Sequence, residues 1–505
     1  MSGTLGGVLG TDVVTLSRGS FNDKNVGTAK PVTVTSLGLT GANAGNYVLS
    51  GATTTTADIT VRPLSTWIGG AAGDWSIPAN WDALPDLSNV TAVSVPAGMT
   101  VIYDAAAGDT NLGTLTADGL TIAGGSLSIG NGLTVNSSFS QTGGTLSFGS
   151  SAGASITQAS GNLNLPAFTV PSLSLNAPAG AITQSGPILA TVLNTQSQTG
   201  TTLNNTGNRV GSFAATNSGS GNVALTNTGA LTITGISNIG GNVVIDNTGA
   251  VTTVGVVSAP SGSVSIIAHS PLDIGAGGVS AGGDIVLAAS ETPDPNDTLT
   301  LSGPVSSTGS GGSVALSSGD DLLQNANVTT NGGAVTAVSQ TGNISMVLGT
   351  TTTTTGGGIG YTAPSGNVAL TSLDAGSGAI NLNAGGDIST VLGFTGANLI
   401  GGQALIVAGG DANLSTQVGL LDVKVNGTYS ITDVLTGSVI TNVRAATPVL
   451  NQVTSTVVAA TQSVTTQPAK ADDKDKEDDA KKRQQATLTT TTGAGTDVKP
   501  KNFCN

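Results

Sequence analysis

Short apolar runs that alternate with polar positions recur along most of the chain, each closed by Gly or Asn. They read SLSI at Leu127, TLSF at Leu146, NVAL at Val223, NVVI at Val243, SVSII at Val264, DIVL at Ile285, SVAL at Val314, AVTAV at Val335 and NVAL at Val368. From Val223 to Val243, Val264 and Ile285 the steps are 20, 21 and 21 residues, and from Val314 to Val335 again 21. A period of two within a repeat near 20 predicts one coil of a parallel β-helix rather than a helical repeat. Val, Ile, Leu and Ala take the inward positions, and Gly and Asn fall where the chain turns, because they tolerate positive φ with little strain. Between about Val101 and Thr432 this predicts some sixteen coils stacked over roughly 80 Å.

Three features interrupt or decorate the repeat. The 29-residue step from Ile285 to Val314 contains ETPDPND, so Glu291 to Asp297 reads as an inserted loop. The longer step from Val335 to Val368 contains Thr351 to Thr355 and a Gly triplet, and reads as a second insertion outside the core. Such insertions are either tolerated length variation or binding surface. Asn205, Asn227 and Asn247 each begin an NTG triplet close to one coil apart, which predicts an internal ladder of stacked amides.

The ends differ from the middle. Gly is absent between Gly437 and Gly493, so the solenoid is expected to stop near residue 437. Thr447, Pro448, Val449, Leu450, Val453 and Val457 carry an N-cap signal and roughly helical spacing, which predicts a short capping helix or strands over 438–468. Lys470 to Arg483 holds six charges of each sign and reads either as a short helix with i,i+4 pairs or as a solvated tail. At the other end Trp67, Trp75 and Trp81, the only tryptophans, fall within WIGGAAGDWSIPANW. They form either a hydrophobic plug sealing the first coil or a platform on which sugar rings stack. The expected organisation is a partial β module over 1–62, a Trp-rich capping segment over 63–103, a parallel β-helix over 104–437, the capping element over 438–468 and a charged, low-complexity tail over 469–505.

Composition sharpens this picture. Only 9% of the 505 residues are charged and 3% aromatic, while Gly alone contributes 74, so small and β-branched side chains must do the burying in many thin layers. From Pro63 to Val423 the only Lys or Arg is Arg209, and the formal net charge is −14. Binding nucleic acid or anionic lipid needs clustered cations, which excludes both as partners of the solenoid. No apolar run reaches the roughly 18 residues of a transmembrane helix. Met1 to Gly10 shows no signal peptide, so the chain is either not exported or starts downstream of its leader. Cys504 is the single cysteine and has no partner for an internal disulfide. It is read either as an intermolecular or surface tether or as a terminal residue without a role.

Catalytic chemistry is hard to assemble from these residues. Glycoside hydrolysis needs two facing carboxyl groups, yet Glu291 and Glu477 are the only glutamates. Asp320 and Asp321 are the best pair, without a neighbouring Lys, Arg or His to tune them. His269 is the only histidine and lacks a second metal ligand. Asp284, Asp387 and Asp411 each follow Gly-Gly, but without the full calcium-repeat pattern they read as turn-capping residues. Asn136, Asn327, Asn343, Asn413 and Asn426 stand in Asn-x-Ser/Thr triplets, which are frequent by chance in so Ser/Thr-rich a chain. No enzyme, cofactor or metal site is expected.

Asp12 to Thr60 resembles the small β modules called YDG repeats of filamentous-haemagglutinin-type proteins. Phe21, Asp23, Lys24, Asn25, Val26 and Gly27 carry one block of the resemblance, and Gly41, Ala44, Gly45, Asn46 and Tyr47 the other. The opening Tyr-Asp-Gly strand is missing, as if the chain began inside a module. With the Trp-rich block, the β-repeats and the charged tail ending near a cysteine, the chain is similar to exoproteins of the two-partner secretion system. That resemblance implies a right-handed β-helical shaft, secreted or held on the outer surface of a Gram-negative bacterium. It also implies export through an outer-membrane transporter and adhesion to host glycans, receptors, surfaces or other bacteria. The alternatives are a carbohydrate-active β-helix enzyme and a structural biofilm or surface-layer protein.

Overall fold

A computed structural model describes residues 7–16, 20–21, 23–33, 39–48, 54–289, 296–433 and 439–442. They belong to the first of two compact units, Met1–Thr465. The fold is all-β: a parallel β-solenoid of about 16 turns, preceded by small antiparallel sheets. In the N-terminal module Thr15–Leu16 pairs with Leu39–Thr40, and Gly27–Thr33 pairs with both Ser20–Phe21 and Thr54–Ile59, all antiparallel.

Between Val243 and Asp374 each turn contributes one short strand to each of three columns, and every strand pairs in parallel with its counterparts one turn above and below. The first column contains Val223–Thr228, Val243–Thr248, Val264–Ala268, Ile285–Ala289, Val314–Ser318, Val335–Ser339 and Ile359–Ala363, with Val223, Val243, Val264, Ile285, Val314, Val335 and Ile359 in register. The second runs through Leu272–Ile274, Leu299–Leu301, Leu322–Gln324, Ile344–Met346 and Val368–Leu370. The third runs through Val257–Ala259, Val279–Ala281, Val305–Ser310, Val328–Asn331, Thr351–Thr354 and Ser372–Asp374. Alternation sends Val, Ile, Leu and Ala into one continuous core running the length of the solenoid.

This register revises four expectations. Val368 is not the successor of Val335; Ile359 is, and Val368 stacks on Ile344 in the second column. The threonine run is no insertion either, since Thr351–Thr354 is a third-column strand with Thr352 and Thr354 buried. A Thr γ-methyl packs as Val does, so the strand survives without an aliphatic residue. The ladder begins within the Trp-rich block, where Arg62–Thr66 pairs in parallel with the strand Val90–Tyr103. At the other end it passes residue 437, because Val439–Asn442 pairs with Leu420–Val423. The rest of 438–468, all of 469–505, Glu291 and Glu477 lie outside the described residues.

Two kinds of polar ladder lock successive turns. Inside the core, Asn227 Nδ2 donates to Asn247 Oδ1 at 2.9 Å, and Asn217 Nδ2 donates to Asn238 Oδ1 at 2.7 Å. Asn205 does not join: its Oδ1 accepts from the nearby Gly207 N–H, and the buried Asn208 reaches the Thr226 carbonyl instead. At the turns, a side-chain oxygen accepts the backbone N–H of the equivalent residue one coil on. Asp321, Asn343, Asn367, Asp387 and Asp411 do so in succession, ending at Thr428 N, at 2.7–2.9 Å. Asn222, Asn242, Ser263 and Asp284 repeat the device before the first column. It explains the Gly-Gly-Asp motif, since a Cβ at Gly386 or Gly410 would collide with Asn367 Oδ1 or Asp387 Oδ1.

Candidate functional site

The tryptophans sit in the first turn. Trp67 follows the strand Arg62–Thr66, Trp75 follows Ala72–Asp74, and the 3₁₀ turn Pro78–Asn80 delivers Trp81. All three are at most 3% exposed. Trp81 meets Trp67 and Trp75 edge-to-face at 5.0 and 4.7 Å, and Trp75 meets Tyr103 at 5.1 Å. Each indole N–H is satisfied internally, on the carbonyls of Gly70, Pro85 and Trp75 respectively. Gly69 makes room for the cluster, because a Cβ there would lie 2.8 Å from the Trp67 ring. A sugar-stacking platform requires an open indole face, and these rings offer none; they are core.

The acidic candidates are likewise engaged in structure. Asp320 accepts from the Asp297 N–H and the Thr341 hydroxyl, and Asp321 from the Asn343 N–H. Asp284, Asp387 and Asp411 are the turn-ladder residues described above. His269 Nε2 lies 2.9 Å from Asp246 Oδ1 at the surface. Among the described residues no three His, Cys, Asp or Glu side chains gather as a metal site would require. In the core, Tyr361 hydroxyl, Gln324 and Thr352 bond to one another at 2.5–3.3 Å. Burial pushes the Tyr361 phenol far above its ordinary range, which marks a neutral packing group. Cys504 lies outside the described residues.

The feature that sequence reasoning passed over is a groove beside Arg209. It has a volume of about 540 Å³ and crosses several turns. Thr169, Leu189 and Arg209 stack in register on successive coils, and Phe148, Pro171 and Leu189 give it apolar walls while Thr191 and Thr228 add hydroxyls. Gly211 keeps the floor low, since a Cβ there would sit 3.0 Å from the Thr191 carbonyl. Arg209 is exposed and forms no ion pair or side-chain hydrogen bond among the described residues. A free guanidinium beside an apolar wall can take a carboxylate, sulfate or phosphate in a bidentate bond while the rest of the ligand packs on the wall. The signal that could have found it is Arg209 standing as the lone cation between Pro63 and Val423.

Residues 1–57 match the YDG domain. No curated protein and no solved structure matches the chain. A YDG domain followed by a parallel β-solenoid is compatible with a surface or adhesin-like protein of the filamentous-haemagglutinin type.

Proposed function

We propose that this chain is part of a secreted bacterial surface adhesin, in which a non-catalytic solenoid carries binding surface away from a Gram-negative cell. The observation that supports this most is the YDG match leading into an uninterrupted parallel ladder. A stack of near-identical turns, each contacting only its neighbours, builds length rather than an enclosed reaction chamber. The polar side chains most suggestive of chemistry are spent on holding turn to turn. The low content of Lys and Arg turns the shaft away from polyanions in general, leaving the Arg209 groove as a local exception. Export through an outer-membrane transporter of the two-partner type belongs to this reading, as do host glycans or surface receptors as ligands.

The reading is tested by coating beads with the purified chain and counting their attachment to epithelial cells, to bacteria and to bare polymer. Adhesion well above albumin-coated beads is expected for at least one surface. Attachment no better than albumin on all three would sink the adhesin reading, and release of reducing ends from a panel of polysaccharides would replace it with the enzyme alternative.

A further inference from the structure

The Arg209 groove lies in the longest stretch of the chain without an acid. Residues 119–245 contain no Asp or Glu, and Arg209 is their only charged side chain, in a protein whose formal net charge is −14. No carboxylate therefore competes for Arg209 on its own coil or on the two stacked against it, and charges beyond about 8 Å are largely screened at physiological ionic strength. The carboxylate that ends the stretch, Asp246, is engaged by His269 Nε2 at 2.9 Å. The groove floor consists of two short rows crossing three coils. Thr169, Leu189 and Arg209 form one row, and Pro171, Thr191 and Gly211 lie two residues further along the same coils. With coils about 4.8 Å apart and about 6.6 Å between the rows, the floor measures roughly 7 by 10 Å, an area that one sugar ring covers. Leu189 and Pro171 are half-buried, whereas Thr169 and Thr191 are exposed, and the hydroxyls of these two threonines have no hydrogen-bond partner among the described residues.

We propose that this groove binds the terminal sugar of a glycan through a single carboxylate on that sugar, an assignment that deepens the adhesin reading and rests on it. Arg209 takes the carboxylate on its planar fork. Leu189 and Pro171 lie under the C–H face of the ring and gain from covering its apolar surface, while the Thr169 and Thr191 hydroxyls face the ring hydroxyls. A cleft of about 540 Å³ with apolar walls and a few polar groups has the usual make-up of a small-ligand site. The same features turn away other occupants. A sulfated polysaccharide or a nucleic acid needs clustered cations, which one guanidinium does not supply. A peptide that adds as a strand needs a free sheet edge, and the strands flooring the groove, Ile188–Ser197 and Arg209–Ser220, are paired on both sides. A neutral sugar leaves the guanidinium unmatched.

The test uses beads coated with the full chain and measures their capture of fluorescent polymers bearing glucuronate or sialate at the sugar termini. Glucose- and galactose-terminated polymers serve as the neutral counterparts and heparin as the polyanion. Display of many copies on both partners makes a weak single site readable. Capture of at least one acidic polymer should exceed that of its neutral counterpart about tenfold or more, and Arg209→Ala should bring it down to the neutral level. Arg209→Lys, which keeps the charge without the fork, should fall between the two. Thr191→Tyr, which fills the groove and leaves Arg209 in place, should also abolish capture, with far-UV circular dichroism unchanged in all three variants. Equal capture of acidic and neutral polymers, or acidic capture that ignores Arg209→Ala, overturns the proposal. So does heparin captured as strongly as the acidic polymers. Beads that attach to cells but capture no acidic polymer would remove the groove assignment and leave the adhesin reading standing; beads that capture acidic polymer through Arg209 but attach to no surface would do the reverse.

Discussion

The first turn and the turns between Val223 and Val425 solve the same packing problem with different materials. An interior turn has a neighbour on both sides, so thin layers of Val, Ile, Leu and Ala suffice, and amide or carboxylate ladders hold the register. The first turn lacks a preceding coil of the same kind and closes its core with Trp67, Trp75, Trp81 and Tyr103. Their large areas and internally bonded N–H groups replace the missing layer. The N-terminal module meets this turn through an ion pair between Lys24 and Asp86. Capping is therefore concentrated in a few aromatic residues, whereas stability along the shaft is spread thinly over many equivalent positions.

The largest effect should come from the aromatic end. Trp75→Ala is expected to cost about 3–5 kcal/mol locally by opening a large cavity, read as loss of near-ultraviolet circular dichroism and an earlier first melting step. A melt indistinguishable from the parent would show that the first turn does not depend on the cluster. In the interior, Asn247→Ala should cost about 1–3 kcal/mol, because the Asn247 amide serves the carbonyls of Gly229, Gly249 and Ala250 and receives Asn227 Nδ2. Hydrogen exchange should report it in the flanking turns, with the first turn unaffected.

A smaller effect is expected at the outer ladder. Gly410→Ala places a Cβ against Asp387 Oδ1 and should cost about 1–2 kcal/mol as local overpacking. The cost should shrink when Asp387→Gly is present, a coupling that a double-mutant cycle measures directly. Strict additivity would mean that the clash is relieved elsewhere.

The smallest effect is the pH response of the first turn. Hydrogen bonding from the Thr66 N–H, assisted by the Ser65 hydroxyl and the Arg62 guanidinium and opposed by burial, holds the Asp82 carboxyl below its ordinary range. A depressed carboxylate stabilises the fold above the ordinary value near 3.8 and loses that contribution as pH falls through the folded value. Tryptophan fluorescence should therefore shift modestly at acid pH, and Asp82→Asn should flatten that part of the curve. An unchanged acid profile in Asp82→Asn would assign the response to another group.

The sequence alone determined the solenoid, because a period of two inside a repeat near 20 leaves few ways to bury Val, Ile and Leu while turning at Gly and Asn. It also identified Asp284, Asp387 and Asp411 as turn residues from the Gly-Gly before them, and the clustering of the tryptophans. Tertiary structure decided what local pattern cannot carry. Val368 and Val335 share a motif yet occupy different columns, since register depends on coil length rather than on the strand's own residues. Asn208, outside any NTG triplet, takes the buried place expected of Asn205, because the strand ends at Leu203 and Asn205 falls in the turn, where its side chain bonds to the Gly207 N–H. The indoles are core rather than platform only because the chain wraps around them. Arg209 acquires its apolar walls from residues on other coils. Each of these outcomes depends on which parts of the chain meet in space, information that no single repeat contains.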